Sequence, residues 1–158
     1  MKQYTIEIKW GLIFSLMSLL WMALERIAGL HDELIAYQAT YTNFIAIPAI
    51  AIYVFALLEK RRVYYLGKMN YWQGFKTGLL VTLVVTILTP LNQWITLAII
   101  TPNYFENVIT YAVETGKMTQ QEALDYFNFQ SYMIQSVLGA PIIGIITSGI
   151  VAAFTIKK

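Results

Sequence analysis

The chain contains no cysteine. Disulfides, thiol-dependent redox chemistry, a cysteine nucleophile and cysteine-held iron–sulfur clusters are therefore excluded. It contains one histidine, His31, which cannot alone build the histidine-rich sites that hold zinc or haem. Charge is scarce as well: 13% of the 158 residues are Asp, Glu, Lys or Arg, against about 25% in an ordinary soluble domain. There is no H-E-x-x-H, no G-x-S-x-G and no Walker loop. A serine triad would need His31 as its base, and no nucleophile elbow places a serine for it. No internal repeat indicates an inverted-repeat transporter.

What is abundant is apolar side chain, at 58% of residues. That exceeds the roughly 45–50% typical of soluble domains and points to an integral membrane protein. The length allows one domain, residues 1–158. A spanning helix needs about 20 apolar residues, and an open sheet cannot satisfy its backbone in lipid. Four segments qualify, near residues 8–28, 41–58, 74–100 and 132–156. The expected fold is an all-α membrane protein with four transmembrane helices and a short extracytoplasmic helical hairpin between the third and fourth. A cleaved signal peptide is not expected, because Trp21-Met22-Ala23-Leu24-Glu25 lacks the small-residue cleavage pattern.

The charges between these segments set the expected orientation. Lys2, Lys9, Lys60, Arg61, Arg62, Lys68, Lys76, Lys157 and Lys158 fall on one side, and only Arg26 and Lys117 on the other. Glu7 and Glu59 accompany the basic set, whereas Glu25, Asp32, Glu33, Glu106, Glu114, Glu122 and Asp125 lie opposite. The positive-inside rule then puts both termini in the cytoplasm. The run Glu59-Lys60-Arg61-Arg62 reads as a cytoplasmic anchor on anionic lipid heads. Trp10, Tyr64, Tyr65, Tyr71 and Trp72 fit an aromatic belt on that side. Tyr37, Tyr41, Trp94, Tyr104 and Tyr132 fit one on the outer side.

The hairpin is expected over residues 103–130. Asn103 would cap its first helix, Gly116 would stop it, and Thr119 with Glu122 would form a capping box for the second. The plainer reading lays this hairpin on the outer membrane surface; the sharper one makes it a lid over a cavity between the spans.

Helix association in lipid depends on close packing of small residues. Ser136, Ala140, Gly144, Ser148 and Ala152 form one stripe on the fourth span, and Gly74, Gly78, Thr82 and Thr86 form another on the third. Contact between the two within one chain is expected; the alternative is a dimer interface. Pro48, Pro90 and Pro141 are candidate kinks, with the Thr86 hydroxyl near the carbonyl freed by Pro90 or bonded to its own preceding turn.

The candidate polar residues are Glu25, Asn92, Gln93 and Gln135, all in the outer half. They read either as hydrated interface groups, with Glu25 and Arg26 as a boundary pair, or as the lining of a cavity. Glu25 is expected to face inward and accept bonds from Asn92 or Gln93, while Arg26 snorkels outward. His31, Asp32 and Glu33 are not expected to converge on a metal, because consecutive helical residues diverge by about 100°.

Several short motifs recur in one order: Leu30-His31-Asp32, Tyr41-Thr42-Asn43-Phe44, Glu59-Lys60-Arg61-Arg62, Gly67-Lys68-Met69, Gln73-Gly74-Phe75, Pro102-Asn103-Tyr104-Phe105 and the final Lys157-Lys158. In these the chain resembles, over nearly its whole length, the domain of unknown function 4199 family, small membrane proteins found mainly in Bacteroidetes. The resemblance implies an inner-membrane location and brings no activity, cofactor or catalytic residue. The expected function is a non-enzymatic membrane scaffold or accessory protein. The alternative is a small solute-, lipid- or ion-handling protein with an outward-facing polar cavity. No cofactor, metal or nucleic acid is expected. Membrane lipids, a second copy or a partner membrane protein are the expected partners.

The sorting of charge has a direct test. Single cysteines replacing Lys68 and Lys117 should label from opposite sides of oriented vesicles. Labelling of both from the same side would overturn the topology.

Overall fold

The computed structural model describes residues 3–157. Met1, Lys2 and Lys158, two of which belong to the basic set above, lie outside the described residues. Helix α1 runs Thr5–Ile27, α2 Ile35–Tyr41, α3 Ala46–Val63, α4 Tyr71–Ile95, α5 Tyr104–Glu114, α6 Gln120–Tyr126 and α7 Phe129–Thr155. No strand occurs among the described residues; a single bridge pairs Met69 with Lys157.

Four helical runs are long and apolar enough to cross a membrane: Thr5–Ile27, Ile35–Val63, Tyr71–Ile100 and Phe129–Thr155. The second begins earlier than the sequence pattern suggests, because a 3-10 turn, Thr42–Ile45, joins α2 to α3. Pro48 lacks the donor that would reach the Phe44 carbonyl, and the backbone tightens just ahead of it. The third run continues past α4 as a π-helical turn, Thr96–Ile100, closed by the Thr101 amide donating to the Thr96 carbonyl at 2.7 Å. Leu12, Leu16, Leu20 and Leu24 make an exposed stripe along α1. Such a stripe is the reverse of a water-soluble helix, whose apolar face turns inward.

Helix α4 touches each of the other three long helices, and its contact with α7 is the most extensive. Glycine makes that approach possible. A Cβ built on Gly78 would stand 2.6 Å from Ser148, and one on Gly144 would stand 2.3 Å from Thr82. A Cβ on Gly74 would stand 3.4 Å from that of Ala152. The hydroxyl of Tyr53 on α3 lies 2.8 Å from that of Thr82, so three helices meet at one buried point. On the far side of α4, Gly11 of α1 lies so close to Val84 that a Cβ would come within 2.4 Å. Around this junction Ala56, Leu57, Val81 and Val151 close the core.

The ends of the helices are fastened by polar groups. At the end that carries both termini, Lys60 turns inward. It donates to Glu7 at 2.8 Å and to the Gln3 carbonyl at 2.6 Å, and lies 4.1 Å from the centre of the Tyr64 ring. Both members of this ion pair are buried. Arg61 donates to the Thr155 carbonyl, and Glu59 accepts from Lys9 and Trp10. The run Glu59-Lys60-Arg61-Arg62 is therefore not a uniformly solvated anchor. Each residue on a helix is turned about 100° from the last, so four in a row cannot share one face. A capping box between Asn70 and Gln73 starts α4 at the same end.

The link between α4 and α7 holds α5 and α6, which pack on each other. Thr119 and Glu122 form the capping box of α6. Gly116, with φ of +67°, reverses the chain after α5. Asn103 does not cap α5: it makes no side-chain cap bond there. Asn128 caps α7 instead, accepting from the Ser131 amide. Thr86 bonds its own preceding turn at the Thr82 carbonyl rather than answering Pro90.

Replacing Gly144 or Gly78 by Leu should lower stability in detergent by about 1–3 kcal/mol or more, because the added side chain meets a facing helix with no room to yield. Ile146→Phe, at an exposed position, should leave the thermal transition where it is. An unchanged transition for Gly144→Leu would contradict the α4–α7 contact.

Candidate functional site

Towards the opposite end of the bundle, the helices separate around a cavity of about 590 Å³. Its floor is the junction just described, with Phe14, Tyr53, Val85 and Gly144. One wall is α4, through Thr89, Asn92, Gln93 and Thr96; the facing wall is α7, through Ser136, Ala140 and Ile143. Tyr132, Thr101 and Tyr104 close the top. Tyr104 is the first residue of α5, so that helix covers the cavity with its buried side, Tyr104 and Val108, set against Leu97.

The cavity exists because the small-residue stripe of α7 does two jobs. Gly144, Ser148 and Ala152 touch α4, whereas Ser136 and Ala140 line the open space. Gly144 belongs to both sets, since it also borders the open space. A row spaced by four winds about 40° round the helix at each step, so it does not say how far along the row the neighbour stays close. Pro90 and Pro141 each remove a backbone donor near the level where α4 and α7 part. The π-helical turn adds its own distortion at Thr96 and Leu97, both of which line the cavity.

The four candidate polar residues do not come together. Asn92 and Gln93 line the cavity, and Glu25 and Gln135 do not. Asn92 is committed to α1: it accepts from the Ser15 hydroxyl at 2.7 Å and donates to the Ser15 carbonyl and the Ser18 hydroxyl. Gln93 makes no side-chain hydrogen bond among the described residues, and the same holds for Gln38, which lines the cavity from α2. Gln135 is exposed on the outside of α7, one residue from Ser136 and hence turned away from it.

Glu25 is buried, as expected, but not against Asn92 or Gln93. It accepts from the Trp21 indole at 2.5 Å and lies 3.1 Å from His31 Nε2. Glu25 is 3% exposed and His31 2%. The contact arises because residues 28–34 form a turn, not a helix. Gly29, at φ +78°, reverses the chain and brings His31 back over the end of α1. Consecutive side chains diverge by about 100° only on a helix, and the turn is free of that constraint. The readable signal was Gly29 directly after the apolar run, a common helix stop. Asn107 of α5 donates to the His31 carbonyl at 2.9 Å and to Asp32 at 2.7 Å. Arg26 donates to the Ile100 carbonyl rather than reaching straight outward. These bonds tie α1, the 28–34 turn, the end of the third run and α5 into one cover.

Tyr104 and Tyr132 belong to that cover and not to an exposed belt. Their hydroxyls lie 3.2 Å apart, and the Tyr104 ring stands edge-on to His31. Burial pushes the Tyr104 phenol above its usual range, so it stays protonated. Tyr37, Tyr41 and Trp94 are exposed. Among the described residues, no group of three His, Cys, Asp or Glu could hold a metal ion.

The model of one protein family, described as Protein of unknown function (DUF4199), matches residues 9–157. The chain belongs to that family. Comparison with curated proteins gives no match. Comparison with solved structures gives none either.

Glu25→Ala would leave the Trp21 and His31 donors without their acceptor. It should lower stability in detergent by about 1–3 kcal/mol, the usual range for orphaned buried polar groups. Arg26→Ala, at an exposed position, should cost distinctly less. Equal, negligible losses for the two variants would show that Glu25 does not hold the cover.

Proposed function

We propose that this protein is a multi-pass protein of the bacterial inner membrane that holds a lipid-derived molecule without transforming it. In this reading both termini are cytoplasmic, and α5 and α6 form a helical hairpin on the outer side that covers the cavity. The charge sorting supports that orientation. The four apolar runs support insertion.

The observation that carries the reading is the cavity itself. About 590 Å³ of mostly apolar space lies between the helices, far more than close-packed interiors leave open. Such a space suits a guest molecule. A scaffold that works by its outer surface has no use for such a void, so a handling role is favoured over the scaffold reading. The lining holds no charged side chain among the described residues, which disfavours an ion. It also supplies no carboxylate, amine or histidine among the described residues.

The cavity is open sideways. Ile143 on α7 lines it yet is 67% exposed, and Asn43 and Ala46 beside α3 line it and are exposed too. This gap between α3 and α7 faces the zone that acyl chains would occupy. Filling the space from within tests the proposal. Protein purified in mild detergent should carry one retained lipid-like molecule in native mass spectrometry. Ala140→Trp should lose that molecule while keeping or raising its thermal transition. Equal retention by both proteins would defeat the reading.

A further inference from the structure

Resting on that reading, we infer that the guest is a single-chain amphiphile with an uncharged, hydrogen-bonding head, held at Gln38 and Gln93. Three observations point to this class. The first is size. The cavity has room for roughly 20 methylene-sized groups at ~30 Å³ each, enough for one hydrocarbon chain and a small head. A two-chain phospholipid has room for only one of its chains inside. From Tyr132 to Gly144 along α7 the cavity is about 18 Å deep at the helical rise of 1.5 Å per residue, a shape that suits a single extended chain.

The second is charge. Among the described residues, no Lys, Arg, His, Asp or Glu lines the space. A carboxylate or phosphate head drawn inside would lose its hydration with no counter-ion to replace it. The nearest buried ionisable pair, Glu25 with His31, is occupied with itself and with Trp21.

The third is the distribution of free hydrogen-bonding capacity. Most polar groups on the wall are already engaged. Asn92 is bonded to α1, Asn43 to the Ala39 carbonyl, Thr89 to the Val85 carbonyl, and Tyr53 to Thr82. Gln38 and Gln93 are not. Each amide offers two donors and a carbonyl acceptor, a set that matches hydroxyl, ester or amide groups and carries no net charge. Below them the walls turn apolar, through Phe14, Val85 and Ile143.

Three probes with the same oleoyl chain separate the outcomes: monoolein, oleate at alkaline pH, and lysophosphatidylglycerol. Delipidated protein in nanodiscs should bind monoolein about tenfold or more tightly than either anion, a factor of ten being ~1.4 kcal/mol. Gln38→Leu combined with Gln93→Leu should erase that preference while still binding the chain. Ala140→Trp should abolish binding of all three. Equal binding of the three probes, all blocked by Ala140→Trp, would keep the cavity as a chain-binding site and overturn the inference about the head. Tighter binding of an anion would overturn it as well. No binding of any probe would overturn both the inference and the reading beneath it.

Discussion

The close approach of α4 and α7 is the constraint on which the rest of the bundle depends. At Gly78 against Ser148, and at Gly144 against Thr82, there is no space for even one more carbon. Because Ser148 Oγ donates to its own Gly144 carbonyl and Thr82 Oγ1 to its own Gly78 carbonyl, these hydroxyls are satisfied within their helices. They therefore act at the contact mainly as small, close-fitting surfaces. Tyr53 adds the third helix by bonding Thr82 from the side. On the termini side of this point the helices pack closely around the core. Beyond it α4 and α7 part, and the cavity is the consequence.

Two buried titratable pairs hold the ends of that arrangement. Glu7 with Lys60 joins α1 to α3 on one side of the contact, and Glu25 with His31 binds the cover on the other. Pairs of this kind add little net stability, because desolvation offsets most of their attraction. Their value is in what they forbid. Shifting α1 by a turn against α3, or unrolling the 28–34 turn, would strand a buried charge. The polar groups of α1 thus fix register, with Ser15 and Ser18 doing the same against Asn92. Once these obligations are met, few polar side chains facing the interior are left uncommitted.

Legibility in the sequence followed the range of each signal. Spacing of four revealed Gly74, Gly78, Gly144, Ser148 and Ala152, because a helix face is a local property. The same spacing did not reveal that Ser136 and Ala140 border the cavity, since the divergence of α7 from α4 depends on the shape of both helices together. Gly11 escaped notice because its neighbour Val84 is distant in sequence and the glycine stands alone in its apolar run. The Thr119–Glu122 cap was readable and the equivalent Asn70–Gln73 cap was not, although both follow the same rule. Glu25 was readable as inward-facing from the shortness of its side chain. Its partner was not, because that required recognising that the chain reverses at Gly29. The cavity itself left only an indirect trace, in small and polar residues shared among α2, α4 and α7.

In the proposed membrane setting, a cavity open to the side of the bundle competes against lipid and not against water. Acyl chains would be present at nearly solvent concentration, so even weak, non-directional contact would keep the space filled. By mass action, a guest that binds only the folded state stabilises it in proportion to the logarithm of its concentration over its dissociation constant. Chain contact thus secures occupancy but gives no choice among guests, since every acyl chain offers the same methylenes. Choice has to come from the few groups that distinguish one head from another. An unmet amide in an apolar wall is such a group: it costs free energy beside a bare chain and recovers it beside a hydroxyl or carbonyl. Gln38 and Gln93 occupy that position here, and the uncharged wall around them sets the sign of the discrimination.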